Sequence, residues 1–156
     1  MTRMSERVLV LHGPNLNLLG TREPRIYGTL TQDEIVAIVA EAAAPHGIEI
    51  ELLQSNHEGV LIDALHAAPG RYAGVILNPS ALTHTSVALG DAVGAITVPV
   101  VEVHLSNVHA REPYRKTSYV APRAAATISG AGADSYAAAV TVLARRFEAE
   151  RAGGAA

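Results

Sequence analysis

Short apolar runs alternating with longer amphipathic stretches predict an α/β fold with a parallel sheet. Two further features agree. The apolar runs have the four-to-six-residue length of buried strands, and polar chemistry gathers in the segments that follow them. The length, 156 residues, suits one domain over residues 1–156. A chain of this size buries roughly 70% of its unfolded surface. No repeat, linker or composition break divides it.

Residues 7–11 (RVLVL) are dense in β-branched and aliphatic side chains and read as a fully buried strand. Thr31 and Glu34 form a capping box, and Ile35, Ile38, Val39 and Ala42 follow at helical spacing until Pro45 and Gly47 end the pattern. Residues 48–53 (IEIELL) alternate, which predicts a strand with one wet face at a sheet edge. A helix over 59–67 follows, with Leu61, Ile62 and Leu65 on one face. Residues 74–77 (GVIL) and 98–103 (VPVVEV) read as strands on either side of a helix over 86–95. Residues 125–129 (AATIS) form a weaker fifth strand before a long Ala-rich helix over 134–150. The tail, 151–156 (RAGGAA), has nothing to bury and is expected to fray. Five strands and about four helices predict a flavodoxin-like, doubly wound five-stranded parallel sheet with helices on both faces.

Composition removes several chemistries. With no cysteine there can be no disulfide framework, thiolate metal site or thiol nucleophile. Lys116 is the only lysine, and it lies in a polar segment with no apolar pocket to activate an amine for Schiff-base work. A net charge of −3 with interspersed signs gives no basic footprint for nucleic acid. No apolar run approaches the ~20 residues that span a bilayer, and the N-terminal residues lack a secretory pattern. A cytoplasmic protein is the expectation.

Open α/β sheets bind ligands beyond the carboxyl ends of their strands. The segments there are HGPNLNLLGTREPRIY, SNHEG, NPSALTHTS, HLSNVHAREPYR and GAG; all but the last are rich in Asn, His, Arg, Ser or Tyr. The opposite connections, 45–47, 68–71 and 95–97, are short and bland. Residues 13–30 are long enough to be a lid. They carry Asn15, Asn17, Arg22, Arg25 and Tyr27, with Gly20 and Gly28 as hinges, and suit an anionic substrate. Glu102 and His104, at i and i+2, share one strand face and can form an acid–base pair or a structural ion pair. His84 with these two is an alternative metal donor set, though without the local spacing of known zinc motifs. Arg111 and Arg115 suit a carboxylate or phosphate, or neighbouring acids such as Glu112. Gly130 and Gly132 lack the third glycine of a dinucleotide fingerprint and read as a tight turn. His12, His46, His57, His66 and His109 read as capping, rim or surface histidines.

The segments HGPNLNLLGTREPRIYG, QSNHEG, NPSALTHTSVAL and EVHLSNVHAREPYRKTSY, in that order, resemble the type II dehydroquinase family over residues 8–143. The resemblance implies trans-dehydration of 3-dehydroquinate through an enolate, in the shikimate route or quinate breakdown, with no cofactor and no metal. It implies Tyr27 as general base with Arg22 beside it and Asn15 on the enolate side. It also implies His104 as general acid with Glu102 behind it. Asn78, His84, Leu105, Ser106 and Arg115 are implied substrate contacts. Asp91 is implied to reach the site of a neighbouring copy, in trimers that assemble into a dodecamer. An isolated phenol titrates near ~10, so a nearby guanidinium would be needed to favour its basic form. The sequence departs from the family at Ser80, where Gly is more usual. It departs also at Leu82, Gly90, Lys116 and Ala64, none of them an implied catalytic residue.

Overall fold

The computed structural model describes residues 6–154. Five strands, β1 (Glu6–His12), β2 (Ile48–Gln54), β3 (Gly74–Asn78), β4 (Val100–His104) and β5 (Ala126–Ser129), form one sheet in the order β2-β1-β3-β4-β5. All pairings are parallel. The alternating β2 lies at an edge, as its pattern predicts. The strand expected over 98–103 begins two residues later, at Val100, after Pro99.

Helices α1 (Pro24–Tyr27), α2 (Gln32–Ala43), α3 (Glu58–His66), α4 (Val87–Ala95) and α5 (Asp134–Gly154) connect and cover the sheet. The predicted capping box starts α2: the Thr31 hydroxyl accepts from the Glu34 amide at 3.2 Å and the Glu34 carboxylate accepts from the Thr31 amide at 2.7 Å. Gly47, at φ 68°, closes the turn after α2 in a conformation glycine adopts without strain.

The apolar residues of β1 serve two cores. Val8 and Val10 pack with Ile76, Val101 and Val103 beneath α2 and α5, where Ile35, Val39, Leu143 and Phe147 are buried. Leu9 and Leu11 face the other way, with Val75, Leu77 and Val100, against Leu61 and Leu65 of α3 and Leu89 and Val93 of α4. Two covered faces explain why β1 and β3 read as unbroken hydrophobic runs.

The expected fraying from residue 151 is corrected at 151–154. There α5 continues, and Arg151 donates to Glu6 at the start of β1. Residues 155 and 156 lie outside the described residues. The segment 13–30 is not featureless: it holds a 3-10 turn at Leu16–Leu18 and the single helical turn α1. None of the described helices is long and apolar enough to cross a membrane.

In the order β2-β1-β3 the chain steps from β1 to one side and then crosses back to the other, so the direction of winding reverses at β1. The crevice this creates opens between the carboxyl ends of β1 and β3, whose last residues, His12 and Asn78, are register partners.

Candidate active site

Tyr27 ends α1 and packs its ring partly against the α2/α5 core. Two guanidinium groups flank the ring: Arg22 Cζ lies 4.9 Å and Arg111 Cζ 5.1 Å from its centroid. The sequence placed Arg22 there through the family resemblance. Arg111 arrives from the segment after β4, which only the fold brings close. It also donates to the Ser106 hydroxyl at 3.1 Å.

Glu102 and His104 do share a face of β4, and His104 Nε2–H donates to Glu102 Oε1 at 2.8 Å. Glu102 is 1% exposed, an expensive place for a carboxylate unless it is fully bonded. The hydroxyl of Thr83 also donates to Oε1, and that of Ser118 lies 3.1 Å from both carboxylate oxygens. Burial pushes the Glu102 carboxyl up. The hydrogen bond from His104, that from Thr83, the charge of His104 and the Ser118 hydroxyl outweigh burial and hold it below the ordinary carboxylate value. Sequence reasoning missed Thr83 and Ser118. The NPSALTHTS segment flags the first as polar; nothing local singles out the second.

His84 stacks on His104 with ring centroids 6.4 Å apart, and its Nδ1–H donates to the Thr117 carbonyl at 2.6 Å. Burial pushes its imidazole below the ordinary value. The Thr117 carbonyl pulls it back up, while the charges of His104 and Arg115 push it down again. Arg111 and Arg115 both approach Glu112, at 3.7 Å and 2.8 Å, which is the acid-partner alternative read from the sequence. Among the described residues no three His, Cys, Asp or Glu side chains are grouped to hold a metal ion.

Tyr27, Asn78, His84, His104, Leu105, Ser106 and Arg115 line one cleft, together with Leu16, Ser80, Val108 and Arg111. Its free volume is about 20 Å³. Two larger cavities adjoin it. One, of about 460 Å³, shares Tyr27, Ser106 and Arg111; the other, of about 240 Å³, shares His84, His104 and Arg115 and reaches Glu102. Asn15, Arg22 and Asp91 do not line the cleft. Arg22 stands behind the Tyr27 ring. Asn15 is exposed at φ 70°, with its backbone amide held by Asn56 Oδ1 at 3.0 Å. Asp91 is exposed on α4, 3.8 Å from Arg123.

His12 corrects its expected rim or surface role: it is fully buried. Burial lowers its pKa to about 4, against a raising hydrogen bond with Gln32, so the ring is neutral at ordinary pH. Two of the positions that depart from the family pattern sit under local constraints. Ser80 sits at φ 54°, a left-handed conformation in which glycine is the easier residue. A side chain at Gly90 would place Cβ 2.3 Å from the Tyr119 carbonyl oxygen, so the local packing admits none.

The family model described as dehydroquinase class II matches residues 6–144. The chain belongs to the class II dehydroquinases. Among relatives in this family, the 3-dehydroquinate dehydratase 1 of Corynebacterium efficiens is 58% identical over 141 residues, covering 90% of this chain and 93% of that one. The catabolic 3-dehydroquinase 2 of Aspergillus flavus is 55% identical over 133 residues, covering 85% and 89%. The crystal structure of the type II dehydroquinase from Propionibacterium acnes superposes with a TM-score of 0.86 at 39% identity, covering 92% of this chain and 99% of that one. This dehydroquinase sheet is therefore the flavodoxin-like architecture that the strand and helix pattern predicts.

Proposed function

We propose that this chain is a lyase that converts 3-dehydroquinate to 3-dehydroshikimate by trans-dehydration through an enolate, without a metal or a Schiff base. The observation that carries the reading is that Tyr27 and His104 line a single cleft, the phenol between two guanidinium groups and the imidazole backed by a buried carboxylate. The relatives named 3-dehydroquinate dehydratase and catabolic 3-dehydroquinase support the same substrate.

Tyr27 takes the proton from the carbon beside the ketone. The guanidinium groups of Arg22 and Arg111 lie over the ring of this base. The electron pair left behind forms the enolate, whose oxygen is met by Asn15 through a bound water. Collapse of the enolate breaks the carbon–oxygen bond, and His104 protonates the departing hydroxyl so that water leaves. Because Nε2–H is committed to Glu102, the proton delivered comes from Nδ1, and Glu102 supplies the counter-charge to the protonated ring. Asn78, His84, Leu105, Ser106 and Arg115 bind the substrate carboxylate and hydroxyls. The 13–30 lid closes over the substrate and excludes solvent. Asp91 completes the site of a neighbouring copy, in trimers that assemble into a dodecamer in the cytoplasm. The same step serves aromatic amino acid biosynthesis and quinate breakdown.

The test is the ultraviolet absorbance of the conjugated product when 3-dehydroquinate is added. Tyr27→Phe and His104→Ala should each lower kcat by about 10²–10⁴-fold with unchanged melting. Activity should survive exhaustive chelation, and borohydride with substrate present. No absorbance from the unaltered protein overturns the reading; covalent trapping by borohydride overturns its mechanism.

A further inference from the structure

The proposed dehydration leaves a buried group of polar side chains unused. Tyr136, in the first turn of α5, is fully buried, and its hydroxyl lies 2.9 Å from Asn78 Nδ2 and 2.9 Å from His12 Nε2. His12 Nδ1 lies 2.8 Å from Gln32 Oε1, and the Ser80 backbone amide donates to Asn78 Oδ1 at 3.1 Å. These contacts admit one consistent direction. The Gln32 carbonyl can only accept, so Nδ1 carries the imidazole proton. Bare Nε2 then accepts from the Tyr136 hydroxyl, whose oxygen accepts from the Asn78 amide. The neutral His12 described above suits this direction. Burial, opposed by the Asn78 hydrogen bond, pushes the Tyr136 phenol up and keeps its proton in place.

A core position needing only volume would be filled by Phe. Burying a phenol, an imidazole and an amide is worthwhile only if each is bonded, and among the described residues no buried side-chain nitrogen or oxygen lacks a partner. The outcome of the chain is a fixed Asn78. One Nδ2 hydrogen and one Oδ1 lone pair are committed, leaving one of each for a ligand in the cleft that Asn78 lines. At the other end stands Gln32, the first residue of α2, two positions after the segment that carries Tyr27.

We propose that Tyr136 is a positioning residue. Its hydroxyl, oriented by His12, sets the side-chain amide of Asn78 in the geometry that binds substrate. This rests on the dehydratase reading for the substrate itself, but the positioning can be tested without it.

The experiment is a double-mutant comparison in the full chain, using Tyr136→Phe, Asn78→Ala and the pair, with 3-dehydroquinate as substrate. Tyr136→Phe should lower kcat/KM about tenfold in the native background, the loss of one ordinary hydrogen bond. In the Asn78→Ala background it should change kcat/KM less than about twofold. Equal losses in both backgrounds, or no loss in either, overturn the proposal. If Tyr136→Phe does not fold, His12→Leu removes the acceptor and gives the same comparison, and His12→Gln restores an acceptor and should rescue. The Asn78 side-chain amide resonances, followed by ¹⁵N–¹H correlation, should move in Tyr136→Phe; unmoved resonances overturn the proposal. If the unaltered protein does not act on 3-dehydroquinate, the dehydratase reading fails, and these resonances decide the positioning on their own.

Discussion

Gly13→Ala is a small change with a large expected consequence. Gly13 follows β1, and its amide donates to the Asn78 carbonyl at 2.8 Å. A Cβ at this position would lie 2.5 Å from the Pro79 carbonyl oxygen and 2.7 Å from its carbon. Comfortable carbon–carbon contact begins near ~3.5 Å, so one of the two backbones has to retreat by about 1 Å. Neither is a flexible side-chain end. The cost should match overpacking elsewhere, about 1–3 kcal/mol, or a fall in Tm of roughly 2–12 °C for a chain of this size. Pro79 directly follows Asn78, so the retreat moves a residue of the cleft. A misplacement of about 1 Å in an active site can cost ~10²-fold in rate. Thermal unfolding by circular dichroism and the absorbance assay with 3-dehydroquinate measure the two effects. Gly59→Ala is the control. It lies in α3 with open space around its Cβ position, and should be neutral or stabilising by about 0.4–1 kcal/mol. A Gly13→Ala protein that melts and turns over like the unaltered one would refute the reasoning.

His12 is neutral in the fold, with a pKa of about 4, and ordinary in the unfolded chain at 6.5. The unfolded chain therefore binds the extra proton between these values, and stability should fall by about 3 kcal/mol as pH drops through that window. Urea unfolding should show this slope, and His12→Gln should remove it. Ser80→Gly relieves a left-handed backbone at about 1–2 kcal/mol while losing about 0.5–1 to chain entropy. Its melting temperature should rise by up to roughly 6 °C, and a fall would contradict the strain argument. Arg111→Ala removes a cation stacked on Tyr27, worth about 0.5–2 kcal/mol, so steady-state kinetics should show kcat/KM lower by roughly 2–30-fold. An unchanged value would separate Arg111 from the phenol's chemistry.

What the sequence reveals here is what is local. The β1 run, the Thr31–Glu34 capping box and the Glu102–His104 pair each depend on residues within a few positions, where period and spacing carry the information. The edge position of β2 follows from its alternation in the same way. The partners that complete the site are distant along the chain. Ser118 reaches Glu102, and Arg111 reaches Tyr27, only after β4 and its following segment have been set beside the lid. His12 looked like one more rim histidine because its surroundings, Gln32 and Tyr136, come from two helices far apart in sequence. Tyr136 itself carried a faint signal, as the lone aromatic of the Ala-rich run that opens α5. The extension of α5 beyond residue 150 was hidden because Gly153 and Gly154 are poor helix formers and the segment has no apolar face to bury, whereas Arg151 is held from outside by Glu6.

The sheet with its two unlike cores is also a partition for mutational drift. His12, Asn78 and Tyr136 belong to the α2/α5 side with Val8, Val10 and Ile76, while Glu102 follows Val100 on the α3/α4 side. Core side chains on opposite faces share few partners, so substitutions there combine more nearly independently than substitutions of residues in contact on one face. The packing that supports Asn78 and the packing that supports the Glu102–His104 pair can therefore be revised separately. A family built this way can vary one half of its site's foundation over many generations without first repairing the other.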